Sequence, residues 1–329
     1  MPSIAIARFT DEIIAIYMAK DRARSTIDQV KLVLRELAEC GARRTGDFTV
    51  ATIAGWRNAH PGRSASTTKA YLRVMSALCS YAKFQGYLRR DPFDLYGVNE
   101  WVRDDARPKV PRRQYHRSPE EIRNVLALAT EEAGGGDWMA CRLEAYVYTL
   151  FLLGARPGEV QHILSPNVDH GACTITIEPV EVPVGKGLRW WRPKTVGSST
   201  TLPAGPALLA VLKKWERRRL INGFRVSTCP FLFPGAKLRG PWTSGGPGVS
   251  PLDHVRALGE RAGIKDLVNK SARKSVGTHA KTMGLGGLER KALFRHSDVR
   301  TGDYYDEDRV ESLRPAVAKV EGFYLGTGS

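Results

Sequence analysis

Six residues spread over half of the chain have side chains that could act together on a phosphodiester: Arg156, Lys194, Lys270, Arg273, His296 and Tyr305. Phosphodiester transfer places negative charge on the non-bridging oxygens and on the leaving alkoxide. A site for it needs fixed positive donors, an acid for the leaving group and a nucleophile. The planar fork of Arg156 suits two phosphate oxygens. Lys194, in Pro193-Lys194-Thr195, could give a proton to a departing 5′ oxygen. Lys270 and Arg273, three residues apart at a helix start, can point the same way. His296 could donate to a non-bridging oxygen, and Tyr305 lies nine positions further on. Each has an ordinary alternative: an arginine paired with Glu159, a solvated hairpin lysine, a helix-end histidine, a core tyrosine. What points to one site is the order, Arg with Glu three residues on, hairpin Lys, Lys-x-x-Arg, His, and Tyr at plus nine.

Composition indicates the partner. Lys and Arg number 50 against 34 Asp and Glu, a formal charge of +16 at pH 7, which favours a polyanion, with nucleic acid the default. A chain of 329 residues, 42% hydrophobic, is long enough for a sizeable core and two domains. Cys40, Cys79, Cys141, Cys173 and Cys229 are odd in number and lack a CxxC pair, so neither a disulfide framework nor a zinc site is expected and a reducing cytoplasm fits. The first twenty residues lack a signal-peptide layout, and no apolar run approaches the roughly 20 residues of a membrane span. The expected location is cytoplasmic, with no membrane partner.

The elements that must position these residues make a mainly α fold with a small antiparallel β-sheet. Residues 1–95 read as four helices: one capped by Thr10, one capped by Ser25 or Thr26, a short one holding Ile53 and Trp56, and one with Tyr71, Val74, Met75, Leu78 and Tyr81 at helical spacing before Gly86. Residues 96–117 read as an extended basic linker, with Pro108 and Pro111 against helix. Its Lys109, Arg112, Arg113 and Arg117 could track a phosphate backbone or simply be solvated. Residues 118–329 form a second domain opening at Ser118-Pro119-Glu120-Glu121, a capping box with proline at the first helical position. An apolar helix ends at Gly154, strands follow at 174–177, 188–192 and 199–202, the last two joined by a turn at 196–198, and helices resume at 208–220, 254–262, 271–283 and 288–294.

The order of these motifs resembles the tyrosine recombinases, or phage integrases. Their first arginine box is similar to Leu153-Gly154-Ala155-Arg156-Pro157-Gly158-Glu159-Val160, and their sheet lysine to Lys194. Their His-x-x-Arg box is similar to Lys270-Ser271-Ala272-Arg273, with His279 also in a familiar place, and their last segment to Arg295-His296 through Tyr305. Residues 1–93 resemble the helical core-binding domain. The resemblance implies a four-helix core-binding DNA-binding domain, a C-terminal α+β catalytic domain, and site-specific cutting and rejoining of double-stranded DNA through a 3′-phosphotyrosyl intermediate at Tyr305. Arg156, Arg273 and His296 would hold the phosphate, Lys194 would protonate the leaving oxygen, Lys270 would orient the phosphate or ease deprotonation of the phenol, and Glu159 would brace Arg156.

One phosphoester replaces another, so no cofactor and no metal are implied. A homotetramer on two recombination sites is implied as well, within the cytoplasmic nucleoid. A C-terminal helix near 311–320 would be either exchanged between protomers or docked on its own. Accessory DNA-bending proteins are left open. Lys270 stands where the family has histidine, and Arg295, where it has glycine, is expected to crowd His296. Tyr304 adjoins Tyr305, and only spacing selects the latter. The alternatives are a recombinase-derived DNA-binding protein without catalysis, and a type IB topoisomerase-like strand transferase, which would relax supercoils without a site. Base readout depends on groove-facing side chains that spacing does not locate, so integration, excision, resolution and transposition are not distinguished.

Overall fold

Helical periodicity governs most of the chain. The structure, a computed structural model, describes residues 3–20, 22–101, 115–184, 187–193, 199–235, 240–243, 250–295 and 309–326. It divides into two units, Met1–Pro111 and Arg112–Ser329, a boundary inside the segment expected to be a linker.

The first unit contains helices α1 (Ile6–Ala19), α2 (Arg24–Glu39), α3 (Val50–Ala59), α4 (Ala65–Phe84) and a single turn, α5 (Val98–Trp101). Phe9, Ile13, Val33, Leu37, Trp56, Leu72, Met75 and Leu78 share its apolar core. Two helix starts differ from expectation. α1 begins at Ile6 because a β-bridge between Ala5 and Arg44 ends the preceding segment, and Thr10 instead donates its hydroxyl to the Ile6 carbonyl at 2.8 Å. α2 begins beyond Ala23, without a side-chain cap from Ser25 or Thr26. The start of the expected linker is helical rather than extended, because buried Trp101 packs with Phe93 and Tyr96 and its indole N–H donates to the Tyr96 carbonyl.

One buried carboxylate organises the polar side of this unit. Glu36 accepts two bonds from the Arg63 fork, both 2.7 Å, and one from the Trp56 indole at 2.8 Å. Arg63 in turn covers the Tyr71 ring at 4.5 Å. Burial pushes the Glu36 carboxyl up, but the bonds from Arg63 and Trp56 outweigh it and hold the group below the ordinary carboxylate value of 4.5. A depressed folded-state pKa stabilises above the unfolded value, and that contribution is lost as pH falls through the folded one. In urea unfolding followed by circular dichroism, the wild-type chain is therefore expected to lose stability more steeply below about pH 4.5 than Glu36→Gln.

The second unit is built around α7 (Trp138–Leu153), in which every residue from Cys141 to Leu153 is buried, as a helix enclosed on all sides must be. α6 (Pro119–Gly134), α9 (Pro206–Ile221), α10 (Pro251–Arg261), α11 (Asn269–His279) and α13 (Arg309–Leu325) pack against it. α6 starts with reciprocal bonds between Ser118 and Glu121. Two charged groups on α7 have partners: Arg142 donates to the Pro234 carbonyl and lies over Trp242, while Glu144 accepts from Lys214 at 2.8 Å.

Strands β1 (Val168–Asp169), β2 (Thr174–Ile177) and β5 (Thr200–Pro203) form one antiparallel sheet in the order β1-β2-β5, with Ile175 opposite Leu202. β3 (Val180–Val184) and β4 (Gly187–Trp191) form a separate hairpin. The expected hairpin between the second and third strands is thus replaced: β4 pairs back with β3, and β5 crosses to β2. β3 carried no sequence signal because Pro183 interrupts it, which a strand tolerates only where no ladder donor is needed. The expected turn at 196–198 lies outside the described residues.

The N-terminus of α9 has no cap of its own. Buried Glu321 of α13 supplies one, accepting from the Ala207 and Leu208 amides at 3.3 and 3.1 Å. Burial pushes this carboxyl up, against the pull of both amides. Gly205 makes the approach possible, since a Cβ there would overlap the carboxyl.

Candidate active site

Arg156 owes its position to the way α7 stops. Gly154 turns left-handed with φ 57°, and a side chain there would press on Phe294 at 3.3 Å. Two residues later Arg156 is the N-cap of α8 (Pro157–Gln161), with Pro157 first in the helix. Glu159 reaches back, its Oε2 accepting from the Arg156 amide at 2.8 Å and its Oε1 from the guanidinium at 2.7 Å. Glu159 thus binds both the backbone and the side chain of Arg156, and its carboxylate takes a further member.

That member is Arg295. It ends α12 (Gly287–Phe294) in the left-handed region, φ 51°, the conformation that glycine adopts freely and that costs another residue about 1–2 kcal/mol. Its side chain is 0% exposed and donates to Glu159 Oε2 at 2.7 Å. A residue expected only to crowd its neighbour is directed inward, where it shares one carboxylate with Arg156. Sequence reading missed this because the contact spans 136 positions. The one available signal was a cation at a place that calls for positive φ.

α11 brings the second box to the same place. Lys270, Lys274 and Thr278 lie one turn apart on its exposed face, with Arg273 half-buried beside them. The Arg273 guanidinium donates to the Gly154 carbonyl at 3.1 Å and to the Phe294 carbonyl, tying the ends of α7 and α12 together. Burial, then the like charges of Arg295 and Arg156, pull its pKa from the ordinary arginine value down to about 9, against the opposing effect of Glu159. Arginine stays protonated at neutral pH, and the repulsion from Arg295 and Arg156 is the part of the shift that a bound anion would relieve. Arg156, Lys270, Arg273 and Lys274 line an open cleft of about 540 Å³ with Phe294 and Thr278, and no carboxylate lines it among the described residues.

His279 belongs elsewhere. Its Nδ1 meets the Tyr324 hydroxyl at 3.1 Å, joining α11 to α13, and burial with nearby His116 pushes its pKa down. Arg117 donates its amide to Ser275 Oγ and its guanidinium to the Lys265 carbonyl, which ties the domain entrance to α11. Lys194, His296, Tyr305, Lys109, Arg112 and Arg113 lie outside the described residues.

A further contact escaped sequence reading. Three residues past Glu159, His162 stacks on Trp191 of β4, with centroids 4.2 Å and planes 3° apart. Its Nδ1–H donates to the Gly158 carbonyl at 2.7 Å. Burial pushes its pKa down to about 4 despite that bond, so the ring is neutral at pH 7. The stack fastens β4, the strand three residues before Lys194, to the helix that begins at Arg156.

No family model matches the chain, and no curated protein matches it in sequence. Solved structures do. The chain is similar to the Tn1549 transposon integrase in complex with a circular intermediate DNA, with a TM-score of 0.65 and 16% identity over 98% of this chain and 95% of that one. It is also similar to a lambda integrase dimer bound to a COC′ core site, with a TM-score of 0.62 and 14% identity over 94% of this chain and 79% of that one. The chain thus has the fold of the tyrosine recombinases, the family its motifs resemble.

Proposed function

We propose that the protein is a site-specific DNA recombinase that cuts and rejoins duplex DNA through a tyrosyl ester. The observation that carries this reading is the convergence of Arg156 and Arg273, from boxes more than a hundred residues apart, on one cleft lined by cations. Tyr305 gives up its phenolic proton to solvent as its Oη attacks the scissile phosphorus, the bond from phosphorus to the 5′ oxygen breaks, and Lys194 gives that oxygen its proton. The product is a 3′-phosphotyrosyl link and a 5′-hydroxyl. A 5′-hydroxyl from a partner strand reverses the step, so the phosphoester is conserved throughout.

Arg156 and Arg273 hold the two non-bridging oxygens, assisted by His296. Glu159 and Arg295 keep Arg156 aimed. Lys270, whose ammonium rests on the Tyr115 ring 3.8 Å from its centroid, orients the phosphate or eases deprotonation of the phenol. Residues 1–95 act as a DNA-binding domain, with Lys109, Arg112, Arg113 and Arg117 along the backbone of the duplex. Four protomers act on two sites in the cytoplasm. Among the described residues no helix is long and apolar enough to cross a membrane.

The test is covalent trapping. Protein incubated with nicked duplexes carrying any inverted repeats found beside its gene should yield a denaturation-resistant adduct, and mass spectrometry should place the nucleotide on Tyr305. Binding without any adduct would sink the enzymatic reading. Arg273→Ala is expected to slow adduct formation by roughly 10²–10³, as loss of one preorganised donor does. Arg273→Lys should restore little of it, because a point charge cannot replace a fork that holds two helix ends and a phosphate together.

A further inference from the structure

We propose that Arg295 sets the electrostatic strength of the anion cleft: by engaging the charge of Glu159 inside the protein, it leaves the charge of Arg156 to act on an anion in the cleft. This role goes beyond aiming Arg156, and it rests on the recombinase reading only for the identity of the anion.

Three guanidinium groups gather around one carboxylate. Glu159 accepts from the Arg156 guanidinium through Oε1 and from Arg295 through Oε2, each at 2.7 Å. The two arginines differ in what surrounds them. The Arg295 side chain is 0% exposed and that of Glu159 1%, whereas that of Arg156 is 27% exposed and lines the cleft. Water screens a charge at the surface, but a charge sealed inside depends on its neighbours. The carboxylate is therefore engaged mainly by its buried partner. Were Arg295 neutral, the same carboxylate would offset Arg156 instead, and the first box would present a closed ion pair to an anion.

Arg295 also sits directly behind the cleft wall. Its neighbour Phe294 lines the cleft, and the Phe294 carbonyl accepts from Arg273. The charge of Arg295 is felt there: among the charges that depress the Arg273 pKa it ranks ahead of Arg156. A side chain that held Arg156 in place by hydrogen bonding alone could be neutral, and glycine would avoid the strain of φ 51°. Neither supplies a cation where no water reaches. Arg295 touches no reacting atom, so it is a positioning residue that acts through Glu159.

Inorganic sulfate, a tetrahedral oxyanion, tests the charge without any DNA. Thermal unfolding of the full chain is followed as sulfate replaces chloride at constant ionic strength, and the rise in the midpoint gives the apparent affinity. Two unit charges about 10 Å apart at an effective dielectric of about 20 change an equilibrium constant roughly tenfold. Arg295→Gln, which keeps a donor for Glu159 but no charge, should therefore need about tenfold more sulfate for the same rise. In the double variant Arg295→Gln/Glu159→Gln one cation and one anion leave together, and the response should return to within about twofold of the wild type. Sulfate sites elsewhere are common to every variant and cancel in the comparison. If Arg295→Gln does not fold, the same charge is read from Glu159→Gln, expected to bind sulfate about tenfold more tightly than the double variant. A wild-type response in Arg295→Gln, a double variant no better than Arg295→Gln, or equal affinities of Glu159→Gln and the double variant would each reduce Arg295 to a brace and overturn the proposal. Covalent trapping keeps the two claims apart. Adducts without the sulfate pattern would leave the recombinase reading and remove the charge role, and the sulfate pattern without adducts would do the reverse.

Discussion

Tyr305→Phe protein is expected to bind duplex DNA as the wild type does and to leave no covalent adduct on a nicked substrate. The substitution removes one oxygen, the atom that would bond to phosphorus, and keeps the ring. Loss of a donor such as Arg273 leaves the nucleophile in place and costs orders of magnitude, but loss of the nucleophile leaves nothing to form the ester. A denaturing gel distinguishes the two, since slow adducts accumulate with time and absent ones do not. Tyr304→Phe should form adducts at close to the wild-type rate. The reverse pattern, adducts in Tyr305→Phe and none in Tyr304→Phe, would move the nucleophile by one residue and leave the remaining assignments standing.

The second large effect is on stability. Glu159→Ala is expected to destabilise the second unit by about 3–5 kcal/mol in urea unfolding, because it removes the carboxylate opposite a fully buried guanidinium. Arg295→Gly should cost less. Glycine accepts the left-handed backbone at φ 51° without strain, and Glu159 keeps its bonds to the Arg156 amide and side chain. A larger loss from Arg295→Gly than from Glu159→Ala would contradict the view that the carboxylate is the shared centre of the two arginines. Glu159→Gln separates charge from shape: it should retain the bond to the Arg156 amide yet loosen the aim of the guanidinium, lowering the adduct rate more than the affinity for DNA.

Much of this site was legible because its signals are local. The capping box at Ser118, the left-handed stop at Gly154 and the brace between Arg156 and Glu159 each lie within a few residues of one another, where helix-end chemistry dictates the outcome. The helix containing Lys270 and Arg273 was equally visible from its spacing. The parts that were not legible are those whose partners are distant. Arg295 finds Glu159, and Tyr115 meets Lys270 and Lys274, only once separate elements fold together. His162 offered no cue that it would stack on Trp191, since a lone histidine near a turn has many uses. Strand β3 was hidden by Pro183, which led to a mistaken pairing of β4 with β5. For Lys194, His296 and Tyr305, order and spacing carry the assignment.

The carboxylate of Glu321, set into the amide end of α9 beside Gly205, bears on how protomers could join. A chain whose last segment swung away would carry the acid off with it and leave two α9 N–H groups without their acceptor. A neighbour delivering its own copy of the same segment would supply that acceptor again. Within a single chain the same contact already seals the amide end of α9.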